Sequence, residues 1–254
     1  MHAGVLLSSM PALPVSLQLW SVRDAVRHDF AGTVQQLAAF GYDGVELAGY
    51  GNLDAAGAAQ AIASAGLRCT GMHVGFAALR DDPEKVILEA QLLGSPHVIC
   101  PYFPREIFKS AAVAIALALE LDRIGAYLRA CNLTFSYHNH EFELARFAGR
   151  LGLDLIFDHC APANVACEAD VYWLHQGGKN PAAFIREQGR RVRLLHLKDE
   201  TELGSGPVDF ASILAAAESI GAVETHVIEI ERYNHEPMES ARRSLATYRS
   251  WRRG

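Results

Sequence analysis

Eight positions in the chain place an acid, an imidazole or an amine where a short run of β-branched and apolar residues stops. Glu46 closes Gly44-Val45-Glu46-Leu47 and His73 ends the run from Leu67. His138 and His140 lie in Tyr137-His138-Asn139-His140, and Asp170 follows Glu168-Ala169. His196 and Lys198 alternate in Leu195-His196-Leu197-Lys198, and Glu229 ends Val227-Ile228-Glu229. On an extended strand alternate residues share a face, so His138 and His140 go together, as do Glu168 and Asp170, His196 and Lys198, and Glu229 and Glu231. If these faces converge, their carboxylates repel one another unless a cation or a proton relieves them. His138, Asp170, His196 and Glu229 then form a mixed imidazole and carboxylate set. Such a set suits Mn, Zn, Co or Fe better than Mg or Ca, which favour oxygen alone. None of the cysteines, Cys69, Cys100, Cys131, Cys160 and Cys167, falls at these positions, so any ion would be held by nitrogen and oxygen.

A divalent ion chelated by a carbonyl and its neighbouring hydroxyl makes the adjacent C–H acidic enough for a side-chain base to remove. From the resulting enediolate, a proton returned to the other face gives epimerisation and one returned to the next carbon gives isomerisation. Expulsion of a β-oxygen gives a dehydratase or lyase. Glu229 is the first candidate for a ligand that also moves a proton, with Glu231 beside it. His140 or Glu143 could supply a base or hold the substrate, and Lys198 could neutralise an enediolate oxygen or a substrate phosphate. Glu46 and His73 lie outside the quartet and could bind substrate hydroxyls or orient a ligand. Trp20 and Tyr102 offer an apolar wall for a sugar ring. The run from Gly204 to Phe210 (GSGPVDF) is a glycine-rich turn before a helix, able to bind phosphate through backbone N–H groups unless Asp209 caps the helix instead.

The elements that must carry these residues alternate. Strands are expected at Val15 to Trp20, Asp43 to Leu47, Leu67 to His73, His97 to Cys100, Leu133 to His138, Val165 to Asp170, Val192 to Leu197 and Thr225 to Ile230. Helices are expected at Phe30 to Phe40, Ala55 to Ala65, Pro83 to Leu93, Ala111 to Ala130, Leu151 to His159, Pro181 to Gln188, Phe210 to Ile220 and Pro237 to Tyr248. About eight β/α units in about 250 residues is the size of a (β/α)8 TIM barrel, an α/β fold whose strand ends converge on one mouth. An open doubly wound sheet also alternates in this way, but no G-x-G-x-x-G follows the first strand and the polar residues close many strands. No linker or shift in composition divides residues 1–254, so one barrel domain is expected.

Half of the 254 residues are hydrophobic and the formal net charge is -6. There is no basic surplus for a nucleic-acid backbone, so a small-molecule partner is expected and nucleic acid is not. Scattered cysteines in odd number suit a reducing cytoplasm. Met1 to Leu19 lacks a basic head and is interrupted by Pro11 and Pro14, unlike a secretory leader, and no segment reaches the roughly 20 apolar residues of a membrane span. Assembly into a homo-oligomer is left open.

Five stretches, Leu17 to Asp24 (LQLWSVRD), Gly41 to Glu46 (GYDGVE), Tyr137 to His140 (YHNH), Asp170 to Trp173 (DVYW) and Leu195 to Asp199 (LHLKD), together resemble the sugar phosphate isomerase/epimerase group of the xylose-isomerase-like barrel superfamily. The likeness runs from near Val15 to near Arg249. It implies a TIM barrel with a divalent-metal site on strands five to eight, acting on a sugar or polyol, either a keto-sugar or a sugar phosphate. In many relatives the ligands are Glu, Asp, His and Glu, and the last three correspond to Asp170, His196 and Glu229. The first position departs, offering His138 where a carboxylate is usual. This resembles the inosose dehydratase side of the superfamily, which implies as an alternative a dehydratase or lyase acting on an inosose or 3-keto-sugar. An endonuclease-like phosphodiesterase of the same fold and a non-catalytic sugar-binding barrel are two further readings.

Overall fold

The computed structural model describes residues 13–252. The part of the Met1 to Leu19 stretch up to residue 12 lies outside the described residues. Eight parallel strands close into a barrel in the order β1-β8-β7-β6-β5-β4-β3-β2. They are β1 (Val15–Gln18), β2 (Gly44–Leu47), β3 (Arg68–His73), β4 (His97–Cys100), β5 (Thr134–His138), β6 (Ala166–Asp170), β7 (Val192–Lys198) and β8 (Thr225–Glu229). One main helix follows each strand: α1 (Phe30–Phe40), α2 (Ala55–Ser64), α3 (Pro83–Leu93), α4 (Ala111–Ala130), α5 (Gly152–Asp158), α6 (Pro181–Gln188), α7 (Phe210–Ile220) and α8 (Pro237–Trp251). This is the expected (β/α)8 architecture. Among the described residues no helix is long and apolar enough to cross a membrane.

Local chemistry accounts for the boundaries. The Asp29 carboxylate accepts from Gly32 N at 2.9 Å to start α1, and Gly41 ends it at φ 100°, a conformation that costs a side-chain-bearing residue energy. Asp54 and Asp209 cap α2 and α7 in the same way. Between its caps α1 buries Phe30, Val34 and Leu37 against the barrel, each worth about 1.5–3 kcal/mol.

The first strand is shorter than expected. The Gln18 side chain accepts from Trp20 N, and the chain turns into a 3-10 segment over Leu19–Val22 that swings Trp20 towards the barrel mouth. Short helices at Arg23–His28, Phe76–Asp81 and Val171–Gln176, and a small hairpin of Arg146–Phe147 with Arg150–Leu151, decorate the loops on the C-terminal side of the strands. Each is too short for its periodicity to stand out in the sequence.

Inside the barrel the alternation is broken twice: once in β7, where Cys167 pairs with Val192 but Glu168 with Leu194, and once in β3 beside the polar cluster. Val45 pairs with Cys69 but Glu46 pairs with Gly71, so Thr70 is an extra residue in β3. Thr70 Oγ1 donates to Ser16 Oγ at 2.8 Å, while the next residue, Gly71, backs onto Glu46. A Cβ at Gly71 would stand 2.8 Å from Glu46 Oε2 and from Ile99 Cδ1, so the acid fits there only because that residue is glycine. The bulge resets the parity and brings His73 inward. Lower in the lumen, Ser136, Ala166, Leu194 and Val227, each two residues before a polar inward residue, are buried with Ile99 and seal the floor.

Candidate active site

The polar side chains at the strand ends are arranged in two tiers that share two imidazoles. His138 Nε2, Asp170, His196 Nδ1 and Glu229 face the mouth, and ligand atoms from all four residues lie within 4.8 Å of one another. His138 Nε2 is 3.8 Å from Asp170 Oδ2 and His196 Nδ1 is 3.2 Å from Glu229 Oε2. Below them, the other nitrogen of each ring meets a carboxylate. His138 Nδ1 lies 3.0 Å from Glu168 Oε2, and His196 Nε2 lies 2.7 Å from Glu46 Oε1. His73 Nε2 joins the lower tier, 2.9 Å from Glu46 Oε1 and 3.0 Å from Glu168 Oε2, and Gln18 Nε2 donates to Glu46 Oε1 at 2.8 Å.

This division fits a metal in the upper tier. A ligating histidine characteristically gives its other N–H to a carboxylate, which sets the tautomer and turns the free lone pair to the ion. Here Glu168 and Glu46 take that part. Asp170 Oδ1 accepts from Trp173 N at 2.8 Å, while its Oδ2 is buried without a hydrogen-bond partner. A buried, unpartnered carboxylate oxygen among imidazoles is what a cation would complete. A second grouping, His73, His138, Glu168 and His196, also lies within 4.8 Å, but its nitrogens are already engaged by the lower carboxylates.

The electrostatics follow from burial and neighbours. Burial opposes charge on Glu46, yet the His73 and His196 imidazoles overcome it and hold that carboxyl well below its usual range. Burial likewise opposes charge on His73, but Glu46 and Glu168 raise it to about 9. Burial pushes Asp170 up to about 7, against the pull of Lys198. His140 is driven down to about 4 by burial and then by the Lys198 charge.

Lys198 is only 2% exposed. Its Nζ sits 2.8 Å from Glu231 Oε2, 3.3 Å from Glu229 Oε2 and 3.9 Å from Asp170 Oδ2, and 4.6 Å from the centre of the Trp173 ring. Burial would strip its proton, but these acids raise its affinity for it, so the amine stays an ammonium.

Above the upper tier lies a cavity of about 460 Å³. Trp20, Ala48, Pro101 and Tyr102 give it an apolar wall, and His73, His138, His140, Glu229 and Glu231 its polar side. Three of the residues expected as bases or substrate contacts do not line it: Glu46, Glu143 and Lys198, the last enclosed by acids. Glu46, expected to bind substrate hydroxyls or to orient a ligand, is fully buried in the lower tier, where it stands behind His196 and meets His73 and Gln18, the position of the second alternative. Glu143, expected as a base, is also fully buried; it accepts from Tyr137 Oη and from His140 N, each at 2.8 Å, and so fixes the loop that carries His140. Burial raises its carboxyl to about 7.

Three residues that serve the site went unassigned in the sequence. Glu168 is the carboxylate behind His138, and its parity with Asp170 was the available signal. Asn139 Oδ1 accepts from Asp170 N at 3.0 Å, tying β5 to β6 from the outward face. Trp173 packs on the Lys198 ammonium. Every residue of Tyr137-His138-Asn139-His140 is therefore engaged: Tyr137 with Glu143, His138 with the upper tier, Asn139 with Asp170, and His140 at the cavity.

Residues 34–251 match the family model of the xylose isomerase-like TIM barrel. The chain belongs to that family. No curated protein matches it. Among solved structures it resembles a sugar phosphate isomerase/epimerase from Parabacteroides distasonis, with TM-score 0.83 and 23% identity over 97% of each chain. It is also similar to a D-psicose 3-epimerase from Clostridium cellulolyticum, at TM-score 0.70 and 15% identity over 94% of this chain and 99% of that one. A family 2 AP endonuclease from Brucella melitensis is similar at TM-score 0.72 and 14% identity, over 94% and 99%. Within this xylose isomerase-like fold, the C-terminal ends of the strands are where such barrels carry their chemistry.

Proposed function

We propose that this protein is a divalent-metal-dependent isomerase or epimerase that removes a proton next to the carbonyl of a polyhydroxylated substrate. The observation that carries the reading is the upper tier, four ligating residues on four successive strands with carboxylates behind both imidazoles. His138, Asp170, His196 and Glu229 would hold the ion, which supplies Lewis-acid polarisation of the carbonyl and its neighbouring hydroxyl. Mn, Zn, Co or Fe suits this donor set. Trp20 and Tyr102 would pack against the sugar ring, and His73 and His140 would hydrogen-bond its hydroxyls. Glu229 and Glu231 line the cavity and are placed to take the proton, and Lys198 beneath them holds the pair together. The resemblance to sugar-acting relatives supports the substrate class.

His138 favours a second reading. Epimerisation needs a proton acceptor on one face and a donor on the other, and an imidazole that ligates a metal through Nε2 offers neither. Elimination of a β-oxygen needs one base and one donor, which Glu231 and His140 could provide.

Both readings are tested by incubating Mn(II)-loaded protein with a panel of ketoses and keto-cyclitols in D₂O. Deuterium at the carbon beside the carbonyl of recovered sugar supports isomerisation or epimerisation, and an unsaturated carbonyl product supports elimination. A panel that returns neither would defeat the proposal. His196→Ala and Asp170→Ala should each lose bound metal by elemental analysis; stoichiometric metal in both would refute the quartet.

A further inference from the structure

We infer that the site accepts an uncharged polyhydroxylated carbonyl compound and rejects its phosphate ester. This rests on the reaction proposed above and narrows its substrate. Among the described residues no lysine or arginine lines the cavity, whereas Glu229 and Glu231 do. Lys198 lies beneath them, enclosed by Glu231, Glu229 and Asp170 and covered by Trp173. It answers charge inside the protein and has none to spare for a dianion. A divalent ion in the quartet would not alter the balance, because Asp170 and Glu229 neutralise it while Glu231 neutralises Lys198.

The other features that could receive phosphate are also occupied. The glycine-rich turn does present two backbone N–H groups to one point, but the chain's own carboxylate fills it. Gly204 N and Gly206 N both donate to Asp199 Oδ2, each at 3.1 Å, and Glu200 N donates to Asp199 Oδ1 at 3.0 Å. Asp199 is buried, and a Cβ at Gly206 would stand 2.1 Å from its Oδ1, so the turn is shaped around this acid. An anion that binds such a nest elsewhere is replaced here by an internal one. Arg23, beside Trp20, donates to the Trp20 carbonyl and to Tyr233 Oη while its guanidinium packs over the Trp20 ring. Arg105, in the loop that follows Tyr102, pairs with Glu141 and covers Phe142. What the cavity offers instead is recognition of uncharged groups: imidazoles, among them His73 with Glu46 and Glu168 at 2.9 and 3.0 Å to answer any charge on it, carboxylates that bond hydroxyls, and aromatic faces for C–H surfaces.

The test uses Zn(II)-loaded protein and two matched pairs, D-fructose with D-fructose 6-phosphate and D-tagatose with D-tagatose 6-phosphate. Relative affinities are read by saturation-transfer NMR titration, and deuterium incorporation from D₂O is followed in the same samples. The free ketose of each pair should bind about tenfold or more tightly than its ester, since like charges in a desolvated site repel strongly. Glu231→Gln should narrow that gap by improving the ester. An ester that binds as tightly as its parent, or whose binding is abolished in Lys198→Met, would overturn the inference and make Lys198 a phosphate anchor. A free ketose that binds but takes up no deuterium would sink the reaction and leave the substrate class standing. An ester that exchanges faster than its parent sugar would do the reverse.

Discussion

The two central imidazoles each have one nitrogen turned to the cavity and one turned to the barrel axis, and the carboxylates at the axis decide which nitrogen carries the proton. Glu168 reaches His138 Nδ1 at 3.0 Å and His196 Nε2 at 3.3 Å, so one buried acid addresses both rings. Removing its charge without changing its shape should leave the rings in place but less basic. Glu168→Gln is therefore expected to weaken metal binding by about 10–100-fold, measured by competition with a fluorescent chelator. Unchanged affinity would assign Glu168 to packing alone. The residue-scale expectations divided along a physical line. Side chains at the ends of strands, such as His138, Asp170, His196 and Glu229, were legible because a strand end and a polar residue coincide. Glu168 and Glu46 were harder to place, because their partners stand on strands far away in the sequence.

At the scale of elements, the barrel has a second buried polar layer at the N-terminal ends of its strands. His226 at the start of β8 meets Tyr248 Oη of α8 through Nδ1 at 2.9 Å, and its Nε2 is buried without a partner. Burial, with Arg252 adding to it, lowers this imidazole to about 3. The unfolded chain binds a proton there near pH 6.5, so the folded state is the poorer proton acceptor between those values. The joint between β8 and α8 should keep its full stability above about pH 6.5 and lose it progressively as pH falls towards 3. His226→Gln should flatten that dependence in thermal melts taken from pH 7 to pH 4. A variant as acid-labile as the parent would place the titration elsewhere.

The elements themselves were read well where composition and capping agreed. The expected α1 and the observed helix coincide at Phe30–Phe40, where Asp29 caps one end and Gly41 the other. The first strand was read two residues too long, since Leu19 and Trp20 look extended by propensity and only the Gln18 side chain turns them. The β3 bulge had no signal, as an extra residue is defined by the neighbouring strand's register.

For the molecule as a whole, closing the sheet brings Glu46 of β2 and Glu168 of β6 to the same nitrogen of one imidazole, His73 Nε2. Carboxylates gathered this closely repel one another, so an ion bound to the folded state and not to the unfolded chain should stabilise the protein by mass action. At free metal about 100 times its dissociation constant the gain is about 2.7 kcal/mol, or several degrees in the melting midpoint. Chelation by EDTA should remove that increment from the wild type and have no effect on Asp170→Ala. An equal shift in both proteins would mean that the stabilising ion binds outside the quartet.

The order of strands and helices, the number of units and hence the barrel, and the family of residues at its mouth are written in local sequence. They depend on periodicity, caps and strand-end chemistry, all of which act over a few residues. Only the tertiary structure assigned each polar group to the upper tier, the lower tier or the supporting loop. It also filled the glycine-rich turn with Asp199 and surrounded Lys198 with acids. Those assignments depend on distances between strands separated by up to 150 residues in the chain, as between Glu46 and His196, and on a register that one bulge can invert.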